Sequence, residues 1–173
     1  MIRPDARQEP EPAAVDAERF RAALRLVPEP VAIVTTLHDG QPHGMTATAF
    51  SSVSAEPPQV LVCVNQLATS WGLIRDSRRY AVNFLAAGHR ALAEAFAKSG
   101  ESRVEHFGQA HWTTLKSGAP VLAGAIAALD CALVQHQQVG THLILIGRVI
   151  DVALGQGEPL LYRAGGFGQY RGD

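Results

Sequence analysis

Apolar positions along this chain recur mostly with the period of two that marks β-strands, and only short segments show a helical period. Residues 31–37 are β-branched and apolar, the turn His38-Asp39-Gly40-Gln41 has an Asp-Gly signature, and residues 44–54 follow at once, which predicts a hairpin. Glu56-Pro57-Pro58 should break the pairing, because proline lacks an N–H and restricts the residue before it. Residues 60–64 are a continuous apolar run, expected to be buried on both faces. Further strands are predicted over 80–85, 127–136, 141–152 and 159–162, with more strand around Val121 and Leu122. Three helices fit the spacing: 16–27, capped by Asp16 with Phe20, Ala23, Leu24 and Val27 on one face; a short one capped by Thr69 or Ser70; and 89–98. Residues 99–109 read as a polar loop, and 163–170 as a Gly-rich loop carrying two aromatics. Six or seven strands interrupted by short helices predict a mainly β, antiparallel barrel or sandwich.

Within that pattern residues 44–54 stand out as a strand without bulk. Thr46, Thr48, Ser51, Ser52 and Ser54 bring hydroxyls, and Ala47 and Ala49 leave space beside them. Burying alanine contributes far less than burying leucine, so this strand reads either as an edge with a wet face or as a smooth wall for a flat ligand. The helix starting near Thr69 and Ser70 follows a buried strand and offers free backbone N–H groups. That is a sound place for an anion such as phosphate, or simply an ordinary cap.

Composition narrows the class. A chain of 173 residues is most simply one domain, 16–173, preceded by a proline-bearing disordered arm over 1–15. With 47% hydrophobic and 18% charged residues it is globular, and a net charge of −1 gives no electrostatic case for nucleic acid or an anionic membrane. No apolar run reaches the ~20 residues of a membrane span, and the N-terminus lacks the apolar segment of a signal peptide, so a cytoplasmic protein is expected. Cys63 and Cys131 lie in apolar runs without metal-ligand spacing and read as reduced core cysteines. No dinucleotide-binding, phosphate-loop, zinc-protease or nucleophile-elbow motif occurs; Gly165-Gly166-Phe167-Gly168 has the wrong spacing and opens no helix.

Taken in order, the local motifs resemble one family. Residues 44–54 followed by Pro57-Pro58, the strand ending in Asn65, Ser70 in the next helix, and residues 80–85 including Asn83 come first. Phe96 and Phe107, Gly140-Thr141-His142 leading into Gly147-Arg148, and the Gly-rich end follow. This succession is similar to the short-chain flavin reductases, the reductase components of two-component flavin monooxygenases. The resemblance covers about 20–170 and implies an FMN-binding split barrel, an antiparallel Greek-key barrel with short helices.

The resemblance implies that Thr46, Ala47, Thr48 and Ala49 flank a flavin ring system, with Ser51 and Ser52 close by. It puts Asn65, Thr69 and Ser70 near the ribityl chain and phosphate, adds Asn83, and makes Lys98 and Arg103 second phosphate anchors. Phe167 and Tyr170 are candidates for stacking on a ring, or for packing across a dimer partner. His142 stands where the family carries histidine in Gly-Asp-His, facing nicotinamide or flavin; here Thr141 replaces the aspartate and can orient the imidazole only as a neutral partner. The implied reaction passes hydride from NADH or NADPH to FMN or FAD, so the protein contributes orientation, exclusion of water and electrostatics. A homodimer and a separate monooxygenase receiving reduced flavin are the implied partners, with no metal. The alternative on the same barrel is a flavin- or haem-binding carrier or sensor without reductase turnover, since fold does not decide function. A pyridoxamine-phosphate-type oxidase would need a basic cluster, and Lys98 and Lys116 are the chain's only lysines.

Overall fold

The computed structural model describes residues 13–98 and 103–170, with only the backbone of Arg103. Most of the predicted N-terminal arm, residues 1–12, lies outside them. The described elements in chain order are α1 (Ala17–Leu24), β1 (Glu29–Pro30), β2 (Ala32–His38), β3 (Gln41–Ala47), β4 (Phe50–Ala55), β5 (Pro58–Asn65), α2 (Thr69–Ser77) and β6 (Arg79–Phe84). After a 3-10 turn at Ala87–His89 come α3 (Arg90–Ala97), α4 (Arg103–Phe107), β7 (Trp112–Thr114), β8 (Pro120–Leu122), β9 (Ala127–Val139), β10 (His142–Leu154), β11 (Leu160–Arg163) and β12 (Gly166–Gln169).

The expected mainly β, antiparallel class is what forms, and one sheet dominates it. Seven strands run in the order β3-β2-β6-β9-β10-β5-β4, so the two edge strands, β3 and β4, are neighbours in the chain. Only Thr48 and Ala49 join them. Six strand spacings of ~4.8 Å would hold the edges of a flat sheet about 29 Å apart, whereas three peptide steps span at most roughly 11 Å. The sheet is therefore rolled until its edges meet at Thr48-Ala49, where the Cys63 N–H donates to the Ala49 carbonyl at 3.1 Å. Beyond that corner β3 and β4 do not pair, and the roll stays open along a seam.

Strand alternation sorts side chains between the roll's inside and outside. Val60, Val62 and Val64 of β5, Leu143 and Leu145 of β10, and Ala32 and Val34 of β2 meet Tyr80, Val82, Cys131 and Leu133 in the interior. Ile33, on the opposite face of β2, joins Leu92, Phe96 and Leu160 in an outer cluster beneath α3 and the β11–β12 hairpin. Each such fully buried aliphatic side chain contributes roughly 1.5–3 kcal/mol. Gly147 is required inside, since a Cβ there would collide with the Tyr80 ring and hydroxyl. Burial pushes the Cys131 thiol up to about 12, aided by the nearby Asp130 carboxylate, so it stays neutral. Both cysteines are free thiols.

Several sequence expectations need correction. Residues 44–54 are two strands on opposite edges, because the chain turns at Thr48-Ala49. Glu56-Pro57 turns the chain without breaking the pairing: Ala55 and Pro58 are Cα partners in a β4–β5 hairpin. Strand β5 is buried on one face only, its intervening residues being half-buried. The expected polar loop contains α4, which packs on β3 and puts Phe107 against Phe96 with ring centroids 5.1 Å apart. Residues 163–170 form the turn and second strand of a hairpin, with Ala164 and Gly165 at φ 54° and 84° making a left-handed turn. The predicted Asp39-Gly40 turn is present, with φ of 49° and 73°, and Asp16 caps α1 through N–H groups of Glu18 and Arg19. Among the described residues no helix is long and apolar enough to cross a membrane.

Candidate active site

The turn at Thr48-Ala49 decides which side chains of the hydroxyl-rich stretch share a surface. Thr46 and Thr48 face outward, into an open cavity of about 330 Å³ lined also by Val31, Glu94 and Ala97 and closed by Tyr162, Gly165 and Phe167. The Thr46 hydroxyl donates to the Ala93 carbonyl of α3 at 2.6 Å, which ties β3 to the helix and leaves oxygen lone pairs toward the cavity. Phe167 and Tyr162 are Cα partners across the β11–β12 turn and stack edge-on at 5.3 Å. The Arg90 guanidinium lies 5.5 Å over the Phe167 ring and is held by Glu94 at 2.9 Å.

Ala47 is a correction. Period two turns it, with Met45, onto the interior cluster and away from the cavity. Ala49 is exposed at the corner. Ser51 and Ser52 are exposed on β4, across the seam, and the Ser51 hydroxyl donates to the Ser52 carbonyl at 3.1 Å.

A second group gathers at the end of β5, two residues beyond Cys63 and so beside the Ala49 corner. Asn65 is the Cα partner of His142. The Asn65 side chain accepts from Leu67 N–H at 2.9 Å and its carbonyl from Ala68 N–H at 2.9 Å, shaping the loop into α2. The helix N-cap is Ala68, not Thr69 or Ser70, and no side chain caps it. Thr69 is exposed, whereas Ser70 is 2% exposed. His142 opens β10, exposed, with its Nδ1 3.0 Å from the Thr141 hydroxyl. That is the neutral partnership expected where Thr141 replaces aspartate. Burial pushes the Cys63 thiol up, so it adds no charge beside the corner.

Other expected residues stand apart. Asn83 is fully buried and its amide is spent inside: Nδ2 donates to the Ile33 carbonyl at 3.0 Å and the Thr35 hydroxyl at 3.1 Å, while Oδ1 accepts from Leu122 N–H at 2.8 Å. It pins β8 to β2 and β6 and reaches no ligand. Lys98 is exposed at the end of α3, next to the cavity residue Ala97, and Arg103 begins α4. Tyr170 follows β12, 58% exposed, and does not line the cavity. Sequence reading missed Tyr162, Val31, Glu94 and Ala97; the hairpin that pairs Tyr162 with Phe167 was hidden behind its glycines.

Comparison with known proteins decides the family. A family model described as the flavin reductase like domain matches residues 24–171. The chain belongs to the flavin reductase-like family. It is 39% identical over 150 residues to the FMN reductase (NADH) RutF of Ancylobacter novellus, covering 86% of this chain and 82% of that one. It is 35% identical over 156 residues to the reductase component of a 4-nitrophenol 4-monooxygenase/4-nitrocatechol 2-monooxygenase from Rhodococcus opacus, covering 90% and 82%. The NADH:FAD oxidoreductase SgcE6 of Streptomyces globisporus, solved in complex with NAD and FAD fragments, superposes with a TM-score of 0.84 at 34% identity, covering 94% of this chain and 99% of that one.

Proposed function

We propose that this protein is an NADH-dependent flavin reductase that delivers reduced FMN or FAD to a separate monooxygenase. The observation that carries the reading is the cavity in which Thr46 and Thr48 face Tyr162 and Phe167, in a chain of this family. The cavity fits a flavin in kind: one wall is small and hydroxylated, the opposite one aromatic. A bound flavin supplies the hydride acceptor for a reduced nicotinamide.

The chain's own residues then position and shield. Thr46 and Thr48 offer acceptors to ring edges, and Tyr162 and Phe167 keep water off an apolar face. The uncapped start of α2, with Thr69 and Ser70, is the phosphate anchor, and Lys98 and Arg103 are second anchors. Asn65 shapes that anchor's loop. The Thr141 contact fixes the plane of His142; with Nδ1 accepting, Nε2–H becomes a donor toward the nicotinamide amide or a flavin oxygen. The protein works as a cytoplasmic homodimer. In a lone subunit Phe20 of α1 and Leu26 just beyond it are more than half exposed, and β4 leaves Val53 47% exposed.

Pure protein mixed with NADH and FMN or FAD should consume NADH only when flavin is present, followed at the nicotinamide absorbance band. Absence of flavin-dependent oxidation with both flavins overturns the reading. Val53→Asp should shift the dimer toward monomer in sedimentation without lowering the melting temperature of the isolated subunit.

A further inference from the structure

Beside the Thr46–Phe167 cavity lies a second one of about 250 Å³, and three arginines line it. Arg21 is on α1, Arg25 is its C-cap one turn further on, and Arg163 ends β11. Two ties hold these elements together: Arg163 Nε donates to the Leu26 carbonyl at 3.0 Å, and Ala164 N–H donates to the Arg25 carbonyl at 3.0 Å. Among the described residues none of the three pairs with a carboxylate, and Glu29 is the one acid in the lining. A cavity carrying three cations and one anion contrasts with a chain whose net charge is −1.

Tyr162 and Gly165 line both cavities, which therefore share a wall. A Cβ added at Gly165 would meet nothing within 4 Å, so the junction stands open. Basic residues at the end of α1 would complement its dipole without any cavity, and Nε of Arg163 caps the Leu26 carbonyl; among the described residues the terminal nitrogens of that guanidinium remain for a further acceptor.

We propose that the arginine-lined cavity takes the adenylate half of a dinucleotide whose other half lies at the Thr46–Phe167 cavity, an inference resting on the reductase reading. Guanidinium groups match phosphate oxygens in fork geometry, and Leu24, Val27 and Tyr162 supply an apolar surface for adenine. FAD and NADH share this half; FMN lacks it.

The direct test is calorimetric titration of the full chain with ADP, compared with the double variant Arg21→Gln/Arg25→Gln. Because α1 buries no residue, the variant should melt like the parent. ADP affinity should fall at least tenfold. Equal affinity in the two proteins, or no binding to the parent at millimolar ADP, overturns the proposal. Steady-state kinetics then separate the sources. A raised KM for FAD alone, with FMN and NADH unmoved, assigns FAD; a raised KM for NADH with either flavin assigns NADH; no movement in any KM overturns the site. Arginine-dependent ADP binding in a protein that never oxidises NADH would sink the reductase reading and leave the site standing.

Discussion

The two halves of the hydroxyl-rich stretch both carry small and hydroxylated residues and have opposite fates. On β3, Gly44 is buried against Phe96 and Thr46 is bonded to α3. On β4, Ser51, Ser52 and Val53 lie exposed, and the Ser51 hydroxyl donates to the carbonyl of its own neighbour, Ser52. The difference comes from what covers each edge. Helices α3 and α4 pack on β3, whereas among the described residues Ser51, Ser52 and Val53 of β4 stay exposed. A run of small polar residues is thus no site in itself; it becomes one where a second layer converts its hydroxyls into fixed acceptors.

Substitutions can break this contrast. Gly44→Val should have the largest effect, because a Cβ there would stand 2.7 Å from the Phe96 ring. Overpacking of this kind costs about 1–3 kcal/mol, whereas Ser52→Val on β4 should stay within about 0.5 kcal/mol, both read from urea denaturation. A stable Gly44→Val would mean that α3 does not press on β3. Next, Thr48→Leu should weaken flavin binding at least tenfold, by fluorescence quenching, at unchanged stability. Ala47→Leu, facing the interior, should instead lower stability and leave the flavin affinity of the folded fraction alone. Reversal of that pair would put the wall on the other face of β3.

Thr46→Val, which removes the bond to Ala93, should cost about 1 kcal/mol, against no measurable change for Ser51→Ala. The smallest effect concerns the far end of α3's entry turn, where His89 Nδ1 accepts from Ala86 N–H at 3.2 Å. Burial holds the His89 imidazole below its ordinary value. The unfolded chain therefore takes up this proton more readily, so the contribution is complete above about pH 6.5 and is lost as pH falls through the lower folded value. His89→Asn should flatten that part of the stability–pH curve on the β3 side, and the β4 variants should not.

Much of this was legible beforehand. The Asp39-Gly40 turn, the Asp16 cap and the apolar β2, β6, β9 and β10 follow from local chemistry. The turn at Thr48-Ala49 did not, because small residues permit a strand and a corner equally, and only the closing of the sheet chooses. For the same reason Ala47 was assigned to the wrong face. Asn83 was misread because a buried amide with every bond satisfied and one awaiting a ligand have the same sequence. Tyr162 escaped notice because its partner Phe167 sits behind glycines that read as a loop.

The two-residue link between the edges also bears on how ligands come and go. With no slack between Ala47 and Phe50, the roll acts as a clasp that cannot spread at that corner without tearing strands apart. The opposite wall of the open cavity, the β11–β12 hairpin, is not tied to that corner. Tyr162 and Gly165 sit at its turn end, on the same side as the arginine cavity. The fixed corner and the wall that faces it are thus different parts of the molecule, and variation in guest size among relatives should be written into the hairpin rather than into the clasp.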